Sequence, residues 1–466
     1  MREEKYDYDV IVIGTGPGGR AGALQAAKEG ARVLVIERGT CGGHCITKDA
    51  IPSKSLREAA SYYQDNPNSG VVSMNNLLSR AREVTAKEIK TIENQLWRNR
   101  ITVLDGCATI TDPHTVHVQG ADNKTLSAKF LLIATGSKPA RPDNVPFEPN
   151  VIVDSDGILS LCEVPKNMIV IGGGVVGVEY ACLFARLGVR VTLIDRGERL
   201  LGRFDASISR ALAYYMESEL RIKLRLGEEV ESIVRNGTQN PVKVVLKSSG
   251  SSLGSHMLLY AIGREGVTDS LGLEAAGVDL DPRGRIKVNE HFQSSVENIY
   301  AAGDVVSGSF MLAATAMNEG RRAMLHALGL VDRRQRTKVP VPVGVYTIPE
   351  IAMVGHTEDE LTHAHVPYVT GVSQYRDTAR GQLQRDSIGI LKLIFHEDSG
   401  ELLGAHIIGT NATEIIHTAQ MVMGLAASVD GGAINFLTED IAFNYPTLHQ
   451  CYRDAALDAR NQRRVV

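Results

Sequence analysis

Apolar residues in this chain come in short unbroken runs rather than in the alternating pattern of a half-exposed sheet. Asp9-Val10-Ile11-Val12-Ile13 and Ala31-Arg32-Val33-Leu34-Val35-Ile36 are two of them. Runs rich in β-branched residues suit parallel strands covered on both faces. Between them lie a glycine turn, Gly14-Thr15-Gly16-Pro17-Gly18-Gly19, and an Ala-rich stretch from Arg20 to Glu29 that Gly30 ends. That stretch predicts a helix. The second strand closes on Glu37. Strand, G-x-G-x-x-G, helix, strand and acid, in this order, make a dinucleotide-binding unit. Gly14 forms the tight turn, Gly16 lets a pyrophosphate approach the backbone, and Gly19 lets helix and strand pack closely. The helix N-terminus offers unpaired N–H groups to the phosphates. Glu37 is placed to accept hydrogen bonds from ribose hydroxyls.

The same plan returns at Met168-Ile169-Val170-Ile171, followed by Gly172-Gly173-Gly174-Val175-Val176-Gly177. A predicted helix from Val178 to Leu187 and a strand from Val189 to Ile194 end at Asp195. In both copies the acid stands 23 positions after the first glycine. Two such units predict one nucleotide held permanently and one exchanged. Each unit has a later closing strand that ends in a small-residue turn. Phe130 to Ser137 carries Thr135 and Gly136; Leu258 to Arg264 carries Gly263 and Arg264. A third apolar run, Ile299-Tyr300-Ala301-Ala302, ends in Gly303-Asp304.

Length and composition narrow the class. With 466 residues the chain exceeds one core, so about three domains are expected. Net charge is −4 with no basic block, which argues against nucleic-acid and anionic-membrane partners. Charges interrupt every long apolar stretch, so no membrane span is expected. The start, Met1-Arg2-Glu3-Glu4-Lys5, is charged rather than apolar, so secretion is not expected. The six cysteines are scattered and form no C-x-x-C pair, and the 13 histidines form no H-E-x-x-H cluster. A reducing cytoplasm and no metal site are therefore expected. The basic stretch 329–338 reads as a linker, and the polar segment 60–100 has a helical pattern with no motif.

The segment Gly42-Gly43-His44-Cys45-Ile46-Thr47-Lys48-Asp49-Ala50-Ile51-Pro52-Ser53-Lys54 resembles the flavin-side motif of the flavoprotein pyridine nucleotide–disulfide oxidoreductases. Tyr346-Thr347-Ile348-Pro349-Glu350 and Gly404-Ala405-His406-Ile407-Ile408-Gly409 resemble the opening and a later strand of that family's dimerisation domain. The resemblance covers essentially the whole chain. It implies an α/β fold with two Rossmann-like domains, for FAD and NAD(P), and an α+β C-terminal dimerisation domain. The expected boundaries are 1–150 for the FAD domain, completed by 284–337, then 151–283 for the NAD(P) domain and 338–466 for the dimerisation domain. A homodimer is implied, with higher assembly open.

Site residues follow from the same resemblance. Lys54 is expected near the flavin, paired with Glu179. Asp304 is expected on the ribityl chain. Arg38, Gly43, Leu312 and Ala313 join the expected FAD contacts. The family carries two cysteines five positions apart, and here they are Cys45 and Ala50. Its proton-shuttling His and the Glu five residues later correspond to Tyr445 and Gln450, neither of which titrates near neutrality as a His–Glu pair does. Tyr445 stays in the expected catalytic set. Cys45 has two open roles, a thiolate beside the flavin or a small polarizable filler. Asp195 suits the free ribose of NAD(H), whereas Arg196 and Arg199 suit the 2′-phosphate of NADP(H). Together these features resemble the transhydrogenase branch of the family. That implies tightly bound FAD and ping-pong hydride transfer between NADPH and NAD+ at one nicotinamide site. An NAD(P)H-dependent quinone or dye reductase, and a non-catalytic flavin-binding redox sensor, are the alternatives. His44, Lys48-Asp49 and Gln450 depart from the branch's pattern.

Overall fold

The computed structural model describes residues 6–66, 73–121, 123–237, 241–330, 339–425 and 431–463. Met1–Lys5 and residues 331–338 of the expected linker lie outside these. The first apolar runs form the expected parallel ladder. Tyr8–Ile13 lies between Val33–Glu37 and the end of Lys124–Ile133, with Val10 opposite Val33 and Phe130. Thr102–Asp105 extends the sheet beyond Val33–Glu37, and Ile299–Ala301 pairs with Lys124–Ile133 from the far side. An antiparallel meander, Cys107–Asp112 and Thr115–Gln119, runs back from the start of Lys124–Ile133. Helix Pro17–Lys28 begins with Pro at its first turn, where a missing N–H costs nothing.

The second sheet repeats the plan. Its parallel order is Lys223–Leu226, Arg190–Asp195, Asn167–Ile171, Met257–Tyr260 and Ile152–Val153. Helix Val175–Arg186 covers it with a nearly continuous buried face, from Gly177 through Phe184. The third sheet is antiparallel and ordered Val343–Val345, Ile351–Gly355, Leu402–Ile408, Ile390–His396 and Tyr368–Gln374. Helices Ala412–Leu425 and Gln450–Arg463 pack on it through Ile415, Ile416, Tyr452 and Ala455. The polar segment 60–100 contains the end of helix Ala50–Asp65 and helix Met74–Arg98, which Ser73 caps by accepting the Asn76 N–H.

Leu271, Leu273, Ala276 and Val278 are buried with Ile11, Leu34 and Leu131 in the core of the first domain. Just before them, the strand Arg264–Gly266 pairs antiparallel with Ser137–Pro139. The stretch after Gly266 has no strand or helix period, so only packing could reveal which core takes it.

The second and third domains meet across a buried charge cluster. Lys392, 4% exposed, donates to both carboxylate oxygens of Asp205, which is 1% exposed. Glu358 also contacts the Lys392 ammonium, and Ser207 hydrogen-bonds Asp205. Burial opposes ionisation of Asp205, but the hydrogen bond from Ser207, the nearby His406 and the Lys392 ammonium outweigh it and hold the carboxyl down at about 2. A depressed carboxyl stabilises the fold above its ordinary value of 3.8 and loses that contribution as pH falls towards about 2. Lys392→Met would leave the Asp205 carboxylate buried without its ammonium partner. Urea unfolding of that variant at neutral pH is expected to show a loss of about 3–5 kcal/mol. Between 3.8 and about 2 its stability should also fall less steeply with acid than that of the parent.

Candidate active site

Both glycine turns have the geometry a dinucleotide needs. Gly14 has φ 102°, and a side chain on it would bring Cβ to 2.5 Å from the Ala134 oxygen. A Cβ on Gly19 would sit 2.0 Å from the Gly14 oxygen. In the second copy, Gly172 has φ 116° and Gly177 would meet the Gly172 oxygen at 1.8 Å. No side chain caps either helix at Gly16 or Gly174, so the first-turn N–H groups stay available to an anion. The two acids serve their own turns first. Glu37 accepts from the Thr15 N–H at 2.9 Å and the Thr15 hydroxyl at 2.5 Å. Asp195 accepts from the N–H groups of Gly173 and Gly197, both at 2.6 Å.

A cleft of about 1210 Å³ runs along the first turn to the junction of all three domains. Gly14, Gly16, Glu37 and Arg38 line its first stretch, and Thr135, Gly136, Gly303 and Asp304 its middle. Gly43, Cys45, Lys54, Leu312 and Ala313 lie further along. Gly174, Glu179, Gly263 and Arg264 enter from the second domain, and Tyr346 from the third. Gly19, Gly172 and Gly177 shape the turns without lining the cleft. Asp195 and the exposed Arg196 do not line it either, although Asp195 accepts from Gly173 beside the cleft-lining Gly174.

Tyr445 is not brought to the cleft by its own chain. It is 77% exposed on the third domain, a placement that no local sequence pattern encodes. Arg199 does not stand free for a phosphate either, because its Nη1 lies 3.0 Å from Asp359.

At the junction, Lys54 Nζ lies 2.8 Å from Glu179 Oε2 and 4.9 Å from the centre of the Tyr346 ring. The other oxygen of Glu179 accepts the Tyr346 N–H at 2.8 Å. One lysine from the first domain, one carboxylate from the second and one aromatic residue from the third thus form a single unit. Asp304 accepts from the Ser137 hydroxyl at 2.9 Å, and Arg264 donates to that hydroxyl at 2.7 Å. Burial raises the Asp304 carboxyl. Glu319 escaped the sequence reading. It accepts the Gly303 N–H at 2.7 Å from inside helix Ala313–Ala327, and burial raises it as well. A glutamate within a helix carries no local signal of such a role.

The cysteine segment offers one thiol. Cys45 and Ala50 both line the cleft, and all six cysteines are free. Burial, reinforced by Asp49 and Asp304, pushes the Cys45 thiol up to about 11. His44, one of the unexpected residues, bonds Asp156 at 2.8 Å, and Lys48 approaches the same carboxylate at 3.7 Å. Burial works against the Asp156 charge, but His44 and Lys48 hold it below its ordinary value. These departures therefore tie the flavin-side helix to the second domain.

An extended cleft, a bare-N–H turn where a Cβ would clash, and a half-buried carboxylate midway along fit a flavin dinucleotide. The family model of pyridine nucleotide-disulphide oxidoreductases matches residues 8–320, and that of their dimerisation domain matches residues 341–456. The chain belongs to the pyridine nucleotide-disulphide oxidoreductases. Relatives named soluble pyridine nucleotide transhydrogenase, from Mycobacterium tuberculosis and Colwellia psychrerythraea, are 40% and 41% identical over 474 residues. Those alignments span 99% of this chain and 98% and 99% of the relatives. Among solved structures, LpdA from Mycobacterium tuberculosis superposes with a TM-score of 0.87 at 26% identity, over 98% of this chain and 99% of that one. The HOCl-induced flavoprotein disulfide reductase RclA from Escherichia coli gives 0.85 at 27%, over 97% and 99%.

Within this family the electrostatics of the thiol are telling. A thiol held at about 11 stays protonated near neutrality. The flavin-loaded protein is expected to show no thiolate-to-flavin charge-transfer band near neutral pH. Cys45→Ser should leave its visible spectrum unchanged, which absorbance spectroscopy checks directly.

Proposed function

We propose that this chain is a flavoprotein NAD(P)+ transhydrogenase that passes hydride between NADPH and NAD+. The observation that carries the reading is a contrast within one cleft. Both glycine turns and the Lys54–Glu179 pair are present, yet the cleft holds Cys45 with Ala50 at the second cysteine position. Gln450, where a carboxylate would orient an acid/base histidine, donates to Asp454 at 3.0 Å. Electrons entering here have no dithiol to leave by.

FAD would lie along Gly14, Gly16, Glu37 and Arg38, pass Thr135, Gly136 and Asp304, and end beside Gly43, Leu312, Ala313 and Lys54. Bound there, it supplies a two-electron carrier that accepts hydride from one nicotinamide and returns it to another. The chain's own residues hold and orient. Lys54 keeps a positive charge where negative charge develops, and Glu179 and Tyr346 fix its position. Gly174 and Gly177 admit the nicotinamide nucleotide, with Asp195 on its ribose, Arg196 beside a 2′-phosphate and Gly263 and Arg264 along the passage. One site serves both nucleotides in turn, and no acid/base pair is required because hydride transfer moves no separate proton.

We place the protein in the cytoplasm as a homodimer. No helix among the described residues is long and apolar enough to cross a membrane. The third domain leaves Met421, Leu425 and Tyr445 exposed, a set that suits contact with a second copy and carries Tyr445 towards the partner's cleft. Light scattering is expected to give twice the chain mass of 50.5 kDa.

The activity test is anaerobic: NADPH with thio-NAD+ as acceptor, and parallel reactions with lipoamide and a quinone. Rapid thio-NADH formation with no lipoamide turnover is expected. Quinone reduction without nucleotide reoxidation would replace the reading with a quinone reductase, and failure of both nucleotides to bleach the flavin would favour a redox sensor. Lys54→Met is expected to lower kcat for thio-NADH formation by about 10²-fold, the scale of losing one preorganised charge.

A further inference from the structure

The loop after Asp195 wraps the second glycine turn. Gly173 and Gly197 donate to the Asp195 carboxylate, and the Leu201 N–H donates to the Gly173 oxygen at 2.9 Å. Any nucleotide whose pyrophosphate sits on this turn presents its adenosine ribose to this loop. Arg199 stands within it. Its main-chain oxygen lies 3.6 Å from where a Cβ on Gly197 would be, one residue's breadth from the Asp195 carboxylate.

Arg199 is already engaged. Its Nη1 lies 3.0 Å from Asp359 Oδ2, and its Nη2 donates to the Gly202 oxygen at 3.0 Å. Asp359 belongs to a different domain, on helix Glu358–His363. The pair is open to water, with Arg199 32% and Asp359 61% exposed, and exposed pairs of this kind hold weakly. A phosphate, with more charge and a geometry that accepts a guanidinium fork, is the stronger partner. The neighbouring Lys392–Asp205 contact is buried, so the two domains stay docked when Arg199 leaves.

We propose that Asp359 sets the preference between NADP(H) and NAD(H) by competing with the 2′-phosphate for Arg199. With NAD(H), Arg199 remains on Asp359 and Asp195 takes the free ribose hydroxyls. With NADP(H), the guanidinium turns to the 2′-phosphate and Asp359 is released to water. A residue of the dimerisation domain, outside the nucleotide-binding domain, thereby lowers the advantage of the phosphorylated nucleotide and keeps both within the working range of one site. Asp359 is a specificity-determining residue that touches neither nucleotide.

This rests on the second domain being the nicotinamide nucleotide site, and the test separates the two ideas. Isothermal titration of the flavin-loaded protein with 2′,5′-ADP and with 5′-AMP reads the adenosine half without turnover. In Asp359→Asn, 2′,5′-ADP should bind up to about five-fold more tightly while 5′-AMP is unchanged. In steady state, KM for NADPH should fall with kcat and KM for NADH unmoved. Arg199→Gln should lose the preference for 2′,5′-ADP, and adding Asp359→Asn to it should restore nothing. Equal shifts for both fragments, no shift, or a gain that persists without Arg199 would overturn the competition alone. If neither fragment binds the parent protein, the nucleotide reading of the domain falls with it.

Discussion

A half-buried ammonium needs a partner wherever it sits, and the Lys54 side chain finds its carboxylate and its aromatic ring in two other domains. Glu179 reaches it from the second domain at 2.8 Å, while the Tyr346 ring and main chain close the arrangement from the third. The relative placement of all three domains is therefore written into one contact of a few ångströms. Domain interfaces made of exposed polar residues usually permit sliding. Here sliding would strip a charge of its partner beside the cleft. The buried Lys392–Asp205 contact on another face imposes the same constraint between the second and third domains.

The nucleotide turns are a second, more local constraint. Each strand-end acid spends its oxygens on the backbone of its own glycine turn, Glu37 on Thr15 and Asp195 on Gly173 and Gly197. The acids thus shape turns whose bare N–H groups suit phosphates, and a ribose would meet carboxylates already oriented. Such preorganisation keeps the energetic cost of binding low. The unexpected residues of the cysteine segment obey the same logic. His44 and Lys48 look like losses of a family pattern until Asp156 is seen between them, joining the flavin-side helix to the next domain.

The structure also explains why thiol chemistry is absent from the proposed reaction. Cys45 faces the cleft with carboxylates nearby and no thiol at position 50. Burial and negative neighbours both oppose a thiolate, and only Arg20 and Lys54 favour it. Of the two roles its sequence position leaves open, the physical setting favours the polarizable filler.

Much of this was legible in the chain itself, for a physical reason. A glycine turn between a β-branched strand and an Ala-rich helix is a local solution to a local steric problem, so Gly14, Gly19, Gly172 and Gly177 announce themselves by spacing alone. The acids at Glu37 and Asp195 follow from strand length, and the substitution at Ala50 from a motif only a few residues long. What tertiary structure decided depends on partners far away in sequence. Glu319 beneath Gly303, Asp359 on Arg199, Asp156 on His44 and Tyr346 over Lys54 lie from 16 to almost 300 positions from the groups they serve. Leu271, Leu273, Ala276 and Val278 joined the first core because its apolar surface was there to be covered, and Tyr445 stands exposed outside the cleft that Tyr346 of the same domain enters. Period and spacing encode what a segment can do with its own backbone; which charge meets which is settled only when the domains close.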